Sequence, residues 1–302
     1  EIRKTWSNPM LDDTLPSKYV AVRDQCDKPV TGRLKICFCN DGRKTYLAHL
    51  HQVQPLRALF PKDSSTEKMA VIVNMAGGVV GGDCHYTDIE CGPNTTATVT
   101  GQAAEKIYRS SGAVAQLAQR ITVAPGSWFE LLPQGTIFFD GCRVQRKNRI
   151  DVSPRGKCLI GEIMTFGRIA MGENLRNGSV RDDWEIYRDN KLQWADFFCI
   201  NDGMEQLFQR ASGFNNASAM GICLYSADDA PDFLDVTRTL LSEQDSNGRD
   251  TRTGVSAFKN LLIIRWLSRD PADLRHNLGA FWLAFRSIVG GQKSSLPSIW
   301  NI

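Results

Sequence analysis

Histidine is scarce in this sequence, with four in 302 residues, and its nine cysteines include no Cys-x-x-Cys pair. The first shortage leaves few imidazoles for metal ligation or proton transfer. The second excludes zinc ribbons and thioredoxin-type redox sites. Neither sign of charge dominates, because 36 Lys and Arg stand against 33 Asp and Glu. A nucleic-acid partner needs a basic stripe, so none is expected. No apolar run is long enough to span a bilayer, and the leading EIRKTWSNPM lacks the apolar stretch of a secretory signal. The expectation is a cytoplasmic chain with no membrane partner. The cysteines are odd in number and scattered, most of them in apolar strand-like runs such as LKICFCN and DFFCIN. Free buried thiols in a reducing compartment fit that pattern.

Strands dominate what is present. RLKICFCND and KTYLAHLHQVQPLRALF alternate on either side of Asp41-Gly42, a hairpin signal. Three passages then resemble one another: DIECGPNTTATVT, RITVAPGSWFELLPQGTIFF and RIDVSPRGKCLIGEIMTFGR. Each runs from an isoleucine through a turn with proline into a second apolar run. Ile89, Ile121 and Ile150 recur about thirty residues apart. A strand–turn–strand unit of this kind exposes its apolar face unless the next unit covers it, so the units should stack. A further hairpin is expected at Asp189-Asn190. Helices come late, one opening at Pro231 and one over Pro271–Val289, with Asp270 as N-cap and Gly290-Gly291 as the stop. Ser242–Gly254 reads as a loop. The fold class expected is mainly β, a β-helix-like stack with a small C-terminal α/β portion, in a single domain over residues 1–302.

Chemistry-bearing residues are few. NMAGGVVGGDCHY places Gly77, Gly78, Gly81 and Gly82 before Asp83, between two strand-like runs. A phosphate cradle would open a helix and commonly carries Gly-Lys-Ser/Thr; neither follows here. Glycines in such a place permit a tight bend and close backbone approach. His49 and His51 share one strand face, a spacing that suits either one metal or plain exposure. Cys37 and Cys39 would also share one strand face, as a metal pair or as small core residues. Asp140 ends an apolar run, Glu162 lies inside one, and Arg168 and Glu173 follow. A carboxylate in an apolar strand needs a counter-charge or water. For Glu162 that means an ion pair with Arg168 or Arg265, or a wet channel lined by carboxylates. Asp140 and Glu162 could also form the carboxylate pair of a glycoside-cleaving enzyme on a β-solenoid.

GGVVGGD (77–83), AEKIYRSSG (104–112), LLPQGTIFFDG (131–141), FGRIAMGE (166–173) and LPSIW (296–300) occur in that order. Together with PLRALFP and LLIIRWL they resemble the urease accessory protein UreD (UreH) family over nearly the whole chain. Two places depart from the family pattern: Ser298 stands where arginine is usual, and Glu105 where threonine or serine is common. The resemblance implies a β-helix-like fold and a protein that is not an enzyme. It implies a scaffold that holds UreF and the GTPase UreG against apo-urease while nickel is inserted. It further implies an internal passage for nickel in transit, with no tightly bound cofactor. Carried over by motif, Asp83, Glu162 and Asp196 belong to that passage, with Glu105, Asp140 and Glu173 as further lining candidates. The alternative within metal handling is a tight-binding nickel metallochaperone using His49, His51 and cysteines.

Overall fold

The computed structural model describes residues 31–62, 67–201, 204–245 and 250–301. Strands come first in chain order: β1 (Gly32–Asn40), β2 (Thr45–Val53), β3 (Leu56–Leu59), β4 (Lys68–Asn74), β5 (Cys84–Cys91) and β6 (Thr96–Gly101). Next are β7 (Glu105–Ile107), β8 (Ala115–Val123), β9 (Trp128–Leu132), β10 (Thr136–Phe138), β11 (Arg143–Val152) and β12 (Lys157–Phe166). The hairpin β13 (Ser179–Arg188) and β14 (Lys191–Ile200) leads to α1 (Met204–Gln209) and β15 (Ala219–Ser226). The chain closes with α2 (Leu234–Asp245), β16 (Thr251–Phe258), β17 (Leu261–Ser268) and α3 (Pro271–Gly290).

The expected stack is present. β1, β5, β8, β11 and β13 lie parallel in one sheet, with β2 and β14 as antiparallel edges. β4, β6, β9 and β12 lie parallel in a second sheet, flanked by antiparallel β3 and by β15, β17 and β16. Each coil crosses from the first sheet to the second through a short turn. Three of those turns repeat a proline followed by a left-handed residue: Pro93-Asn94, Pro125-Gly126 and Pro154-Arg155, with φ of 58°, 74° and 62° at the second position. Proline presets the first central residue of such a turn, and Asn or Gly tolerates the second.

The isoleucine repeat is longer than the sequence reading had it. Ile36, Ile89, Ile121, Ile150 and Ile186 stand directly opposite one another across five strands. All five are buried in the apolar cluster between the sheets. A second cluster lies between the second sheet and the helices, holding Trp266, Phe281, Trp282 and Phe285. A third, at the other end of the sandwich, gathers Phe138, Met164, Phe166 and Phe214.

Asp270 caps α3 by accepting from the Ala272 N–H at 2.8 Å, and Gly291 ends it in the left-handed region at φ 60°. Asp270→Ala should therefore cost about 1 kcal/mol, the usual worth of such a cap, read as a lower urea midpoint at unchanged slope. The Asp189-Asn190 hairpin has positive φ at both residues, as its strand twist requires. The loop expected over Ser242–Gly254 is corrected in part. Helix α2 runs on to Asp245 and β16 begins at Thr251; residues 246–249 lie outside the described residues.

Candidate functional site

Alternation along a strand puts residues two and four places before each ladder isoleucine on the same interior face. There the sequence turns polar. Thr87, Gln119 and Asn148 stand in register, and behind them His85, Leu117 and Arg146. Thr100 and Glu162 of the second sheet, with Glu105 and Thr136 of the short strands, complete the lining. The sheets cannot close over these groups as one dry core. They leave a cavity of about 370 Å³, partly open to solvent, between the apolar cluster of the isoleucine ladder and the one around Phe166.

Glu162 is the deepest carboxylate of that lining, 9% exposed. Its Oε1 accepts from Thr136 Oγ1 at 2.9 Å and from the Arg146 guanidinium at 3.2 Å. Arg146 also donates to Asp182 Oδ2 at 2.8 Å, and Asp182 is fixed by Asn148 and by the Trp184 indole. Burial raises the Glu162 pKa, and Arg146 works against that rise. Neither expected partner is the real one. Glu162, Ile222 and Arg265 are opposed in register on β12, β15 and β17, which leaves Glu162 and Arg265 two strands apart. That separation is about 10 Å, with Ile222 between them. Arg265 instead binds Asp196 at 2.6 Å. Arg168, beyond the end of β12, turns to Glu173.

Glu105 lies in the same lining, nearer the glycine loop. Asn74 Nδ2 donates to both of its oxygens, at 3.1 and 3.2 Å, and to the Gly78 carbonyl at 3.0 Å. Burial raises the Glu105 pKa, with the Asp83 charge adding to the rise. A carboxyl whose pKa is higher in the folded state disfavours folding once it ionises. Stability is gained below its unfolded value and lost as pH rises through the folded one. Glu105→Gln should therefore melt higher than the parent at pH 7, with the gap closing toward about pH 4, where a free glutamate protonates. Thermal unfolding across that range checks this.

The glycine loop is held by packing. The Val79 N–H donates to the Lys106 carbonyl at 2.8 Å, and the Tyr108 hydroxyl donates to the Gly77 carbonyl at 3.1 Å. A Cβ on Gly78 would run into the Tyr108 ring, and one on Gly81 into Ser110 Oγ. Asp83 is the brace of this loop, its Oδ2 accepting from the Val80 N–H at 2.9 Å. It stands beside the cavity, while Gly77, His85 and Glu105 are in its lining. His85 is buried, which lowers its pKa and favours the neutral imidazole.

The other candidates stand elsewhere. Asp140 accepts from the backbone of Arg176 and Asn177, both at 2.9 Å, and pairs with Arg109. Glu173 accepts from the Asp140 N–H at 3.1 Å. These two brace a turn and are not brought to the cavity, so Asp140 and Glu162 do not form a carboxylate pair. Asp196, 38% exposed, joins the edge strand of the first sheet to β17 of the second. His49 and His51 share an exposed strand. Cys37 is half-buried, and burial together with Glu90 pushes its thiol up to about 12. Among the described residues no three His, Cys, Asp or Glu side chains gather as a metal site would need. Ser298, the departure in the closing motif, is exposed; Trp300 beside it is buried, with Arg275 stacked 4.0 Å over its ring.

Arg146, Asn148, Gln119, Thr87 and His85 escaped the sequence reading. Their signal was present in HYTDI, LAQRI and RKNRI, where a polar residue falls two places before each repeat isoleucine and, in the first and third, four places before it as well.

The model of the UreD urease accessory protein family matches residues 30–301. A urease accessory protein UreD of Magnetococcus marinus is 31% identical over 274 residues, 90% of this chain and 94% of the relative. Those of Azorhizobium caulinodans and Xanthobacter autotrophicus are 33% and 35% identical, over 90% and 98% of this chain and 96% and 97% of theirs. With nearly the whole length matched on both sides, the chain belongs to the UreD family of urease accessory proteins.

Proposed function

We propose that this chain is a non-enzymatic scaffold of urease maturation whose internal cavity passes nickel toward apo-urease. The observation that carries the reading is the cavity itself, a space between the two sheets of a parallel β-stack whose mixed wall carries the carboxylates of Glu162 and Glu105 among apolar side chains. A stack with no transport task would fill those places with isoleucine and valine, as it does two residues further along each strand. Carboxylate and amide oxygens suit a hydrated divalent cation, and neutral His85 adds a borderline nitrogen donor nearby. Ligands scattered along a wall bind weakly, which suits transit. A tight-binding metallochaperone is disfavoured by exposed His49 and His51 and by a Cys37 thiol held protonated. UreF, the GTPase UreG and the urease subunits are the partners this reading requires, in the cytoplasm. No helix among the described residues is long and apolar enough to cross a membrane.

The test is the nickel content of urease matured with Glu162→Ala or Glu105→Ala, beside a pull-down of the accessory complex. The expected result is urease poor in nickel with the complex intact. Normal nickel with both replaced together would end the conduit reading. Lost nickel with a lost complex would make these residues structural.

A further inference from the structure

We propose that Arg146 is a built-in counter-charge that keeps Glu162 from trapping a divalent cation, and so sets how fast the cavity releases one. The inference rests on the cavity being a cation route, and it concerns a residue that route does not itself require.

The geometry around Glu162 is asymmetric. Oε1 takes both the Thr136 hydroxyl and the Arg146 guanidinium. Oε2 accepts no hydrogen bond from the described residues and is not among the sealed, unpartnered buried atoms. Glu162 is thus held by one oxygen and offers the other to the cavity. A carboxylate fixed in this way suits one-point contact with a passing cation. With no counter-charge, its full negative charge in a poorly hydrated wall would bind a doubly charged ion strongly and release it slowly.

Arg146 changes that balance. It is 7% exposed, lines the same cavity, and spans Glu162 and Asp182 with its two terminal nitrogens. Its Nε finds no acceptor, so its hydrogen bonds come from the terminal nitrogens alone, to the two carboxylates and to Thr136 Oγ1 at 3.0 Å, while the guanidinium lies over the Phe138 ring. Two carboxylates and one guanidinium leave a single net negative charge. Asp182 is the better-bound partner, at 2.8 Å against 3.2 Å, and has the Asn148 and Trp184 donors as well. The Glu162 contact is the weaker arm, the one an arriving cation must compete with. Arg146 repels the cation while it is bound and re-forms its bond to Glu162 as the cation leaves. Asp182 needs no part in ligation; it anchors the guanidinium at working distance.

Equilibrium dialysis of Ni²⁺ against the full-length chain tests this, with Arg146→Gln, Glu162→Gln and the two combined. Arg146→Gln should bind at least about tenfold tighter than the parent, well under what unit charges a few ångströms apart exert at the effective dielectric of a protein. The gain should vanish when Glu162→Gln is added. In maturation, Arg146→Gln should keep nickel on the accessory protein and load urease more slowly. Since Arg146→Gln leaves Asp182 unpaired and could unfold the chain, Arg146→Gln with Asp182→Asn is the second variant. It restores the net charge while still freeing Glu162, and should also bind tighter than the parent. If Glu162→Gln weakens binding but neither Arg146 variant strengthens it, the counter-charge role is wrong and the route stands. If no variant changes nickel binding or urease loading, both fail.

Discussion

Arg286→Met is expected to lower the stability of the chain by about 3–5 kcal/mol, the range for breaking one partner out of a buried ion pair. Arg286 lies on α3, 4% exposed, and its Nε donates to both oxygens of Glu130 at 2.9 and 3.0 Å. Glu130, 1% exposed on β9, also receives the indole N–H groups of Trp128 and Trp282, at 2.6 and 2.9 Å. The other guanidinium nitrogens reach the carbonyls of Lys293 and Ser295 and the carboxylate of Glu67. One side chain thus ties the second sheet, the last helix and the C-terminal segment together. Removing it leaves Glu130 charged in a dry site with only two neutral donors. The check is a urea titration followed by circular dichroism and tryptophan emission, since two of the donors are indoles. Replacing Glu130 as well, by leucine, should recover part of the loss, because the more deeply buried of the two carboxylates that Arg286 meets is then gone and only Glu67 keeps its charge. A lone Arg286→Met as stable as the parent would show that the contact does no work in holding α3.

Gly78→Ala and Gly81→Ala are each expected to cost about 1–3 kcal/mol, the usual cost of forcing atoms into filled space. A Cβ at Gly78 meets the Lys106 carbonyl at 2.7 Å besides the Tyr108 ring, and one at Gly81 meets the Ala113 carbonyl at 2.6 Å. Carbonyl oxygens of a strand and its following loop cannot step aside as a flexible side chain can. Gly77 is the contrast. Its φ of 75° is left-handed, yet a Cβ there meets nothing within 4 Å. Gly77→Asn should therefore be nearly neutral, because asparagine tolerates that region. Melting temperatures of the three variants decide the matter. A loss at Gly77 as large as the other two would mean that its left-handed backbone, and not crowding, demands glycine there.

The stack was legible because its signal is repeated. Ile89, Ile121 and Ile150 each precede a proline turn, and one unit that cannot bury its own face predicts the next. Ile36 and Ile186 were missed because their strands lack that turn; they join the ladder by pairing alone. Helix α3 was legible from Asp270, Pro271 and Gly291, which act within one turn of chain. The partner of Glu162 was not. Arg146 comes from the facing sheet, and no local pattern says which arginine a carboxylate meets across an interior. The same holds for Asp196, whose partner Arg265 reads as an oddity in an apolar run until β14 and β17 are placed. Asp83 was legible as the end of the glycine loop, though its carboxylate is spent on the Val80 N–H.

The antiparallel edges have a consequence for size. Strands β2 and β14 close the first sheet, and β3 and β15 turn the second, so neither end offers a parallel template to a further coil. Growth by terminal duplication is thereby blocked, while insertion between existing coils is not. A whole coil spliced between β9 and β11, with its own isoleucine, proline and left-handed residue, would widen each sheet by one strand spacing, about 4.8 Å. The polar rows ahead of the isoleucines would lengthen by the same step. The reach of the cavity is then counted in coils, and a gene could alter it only in units of about thirty residues.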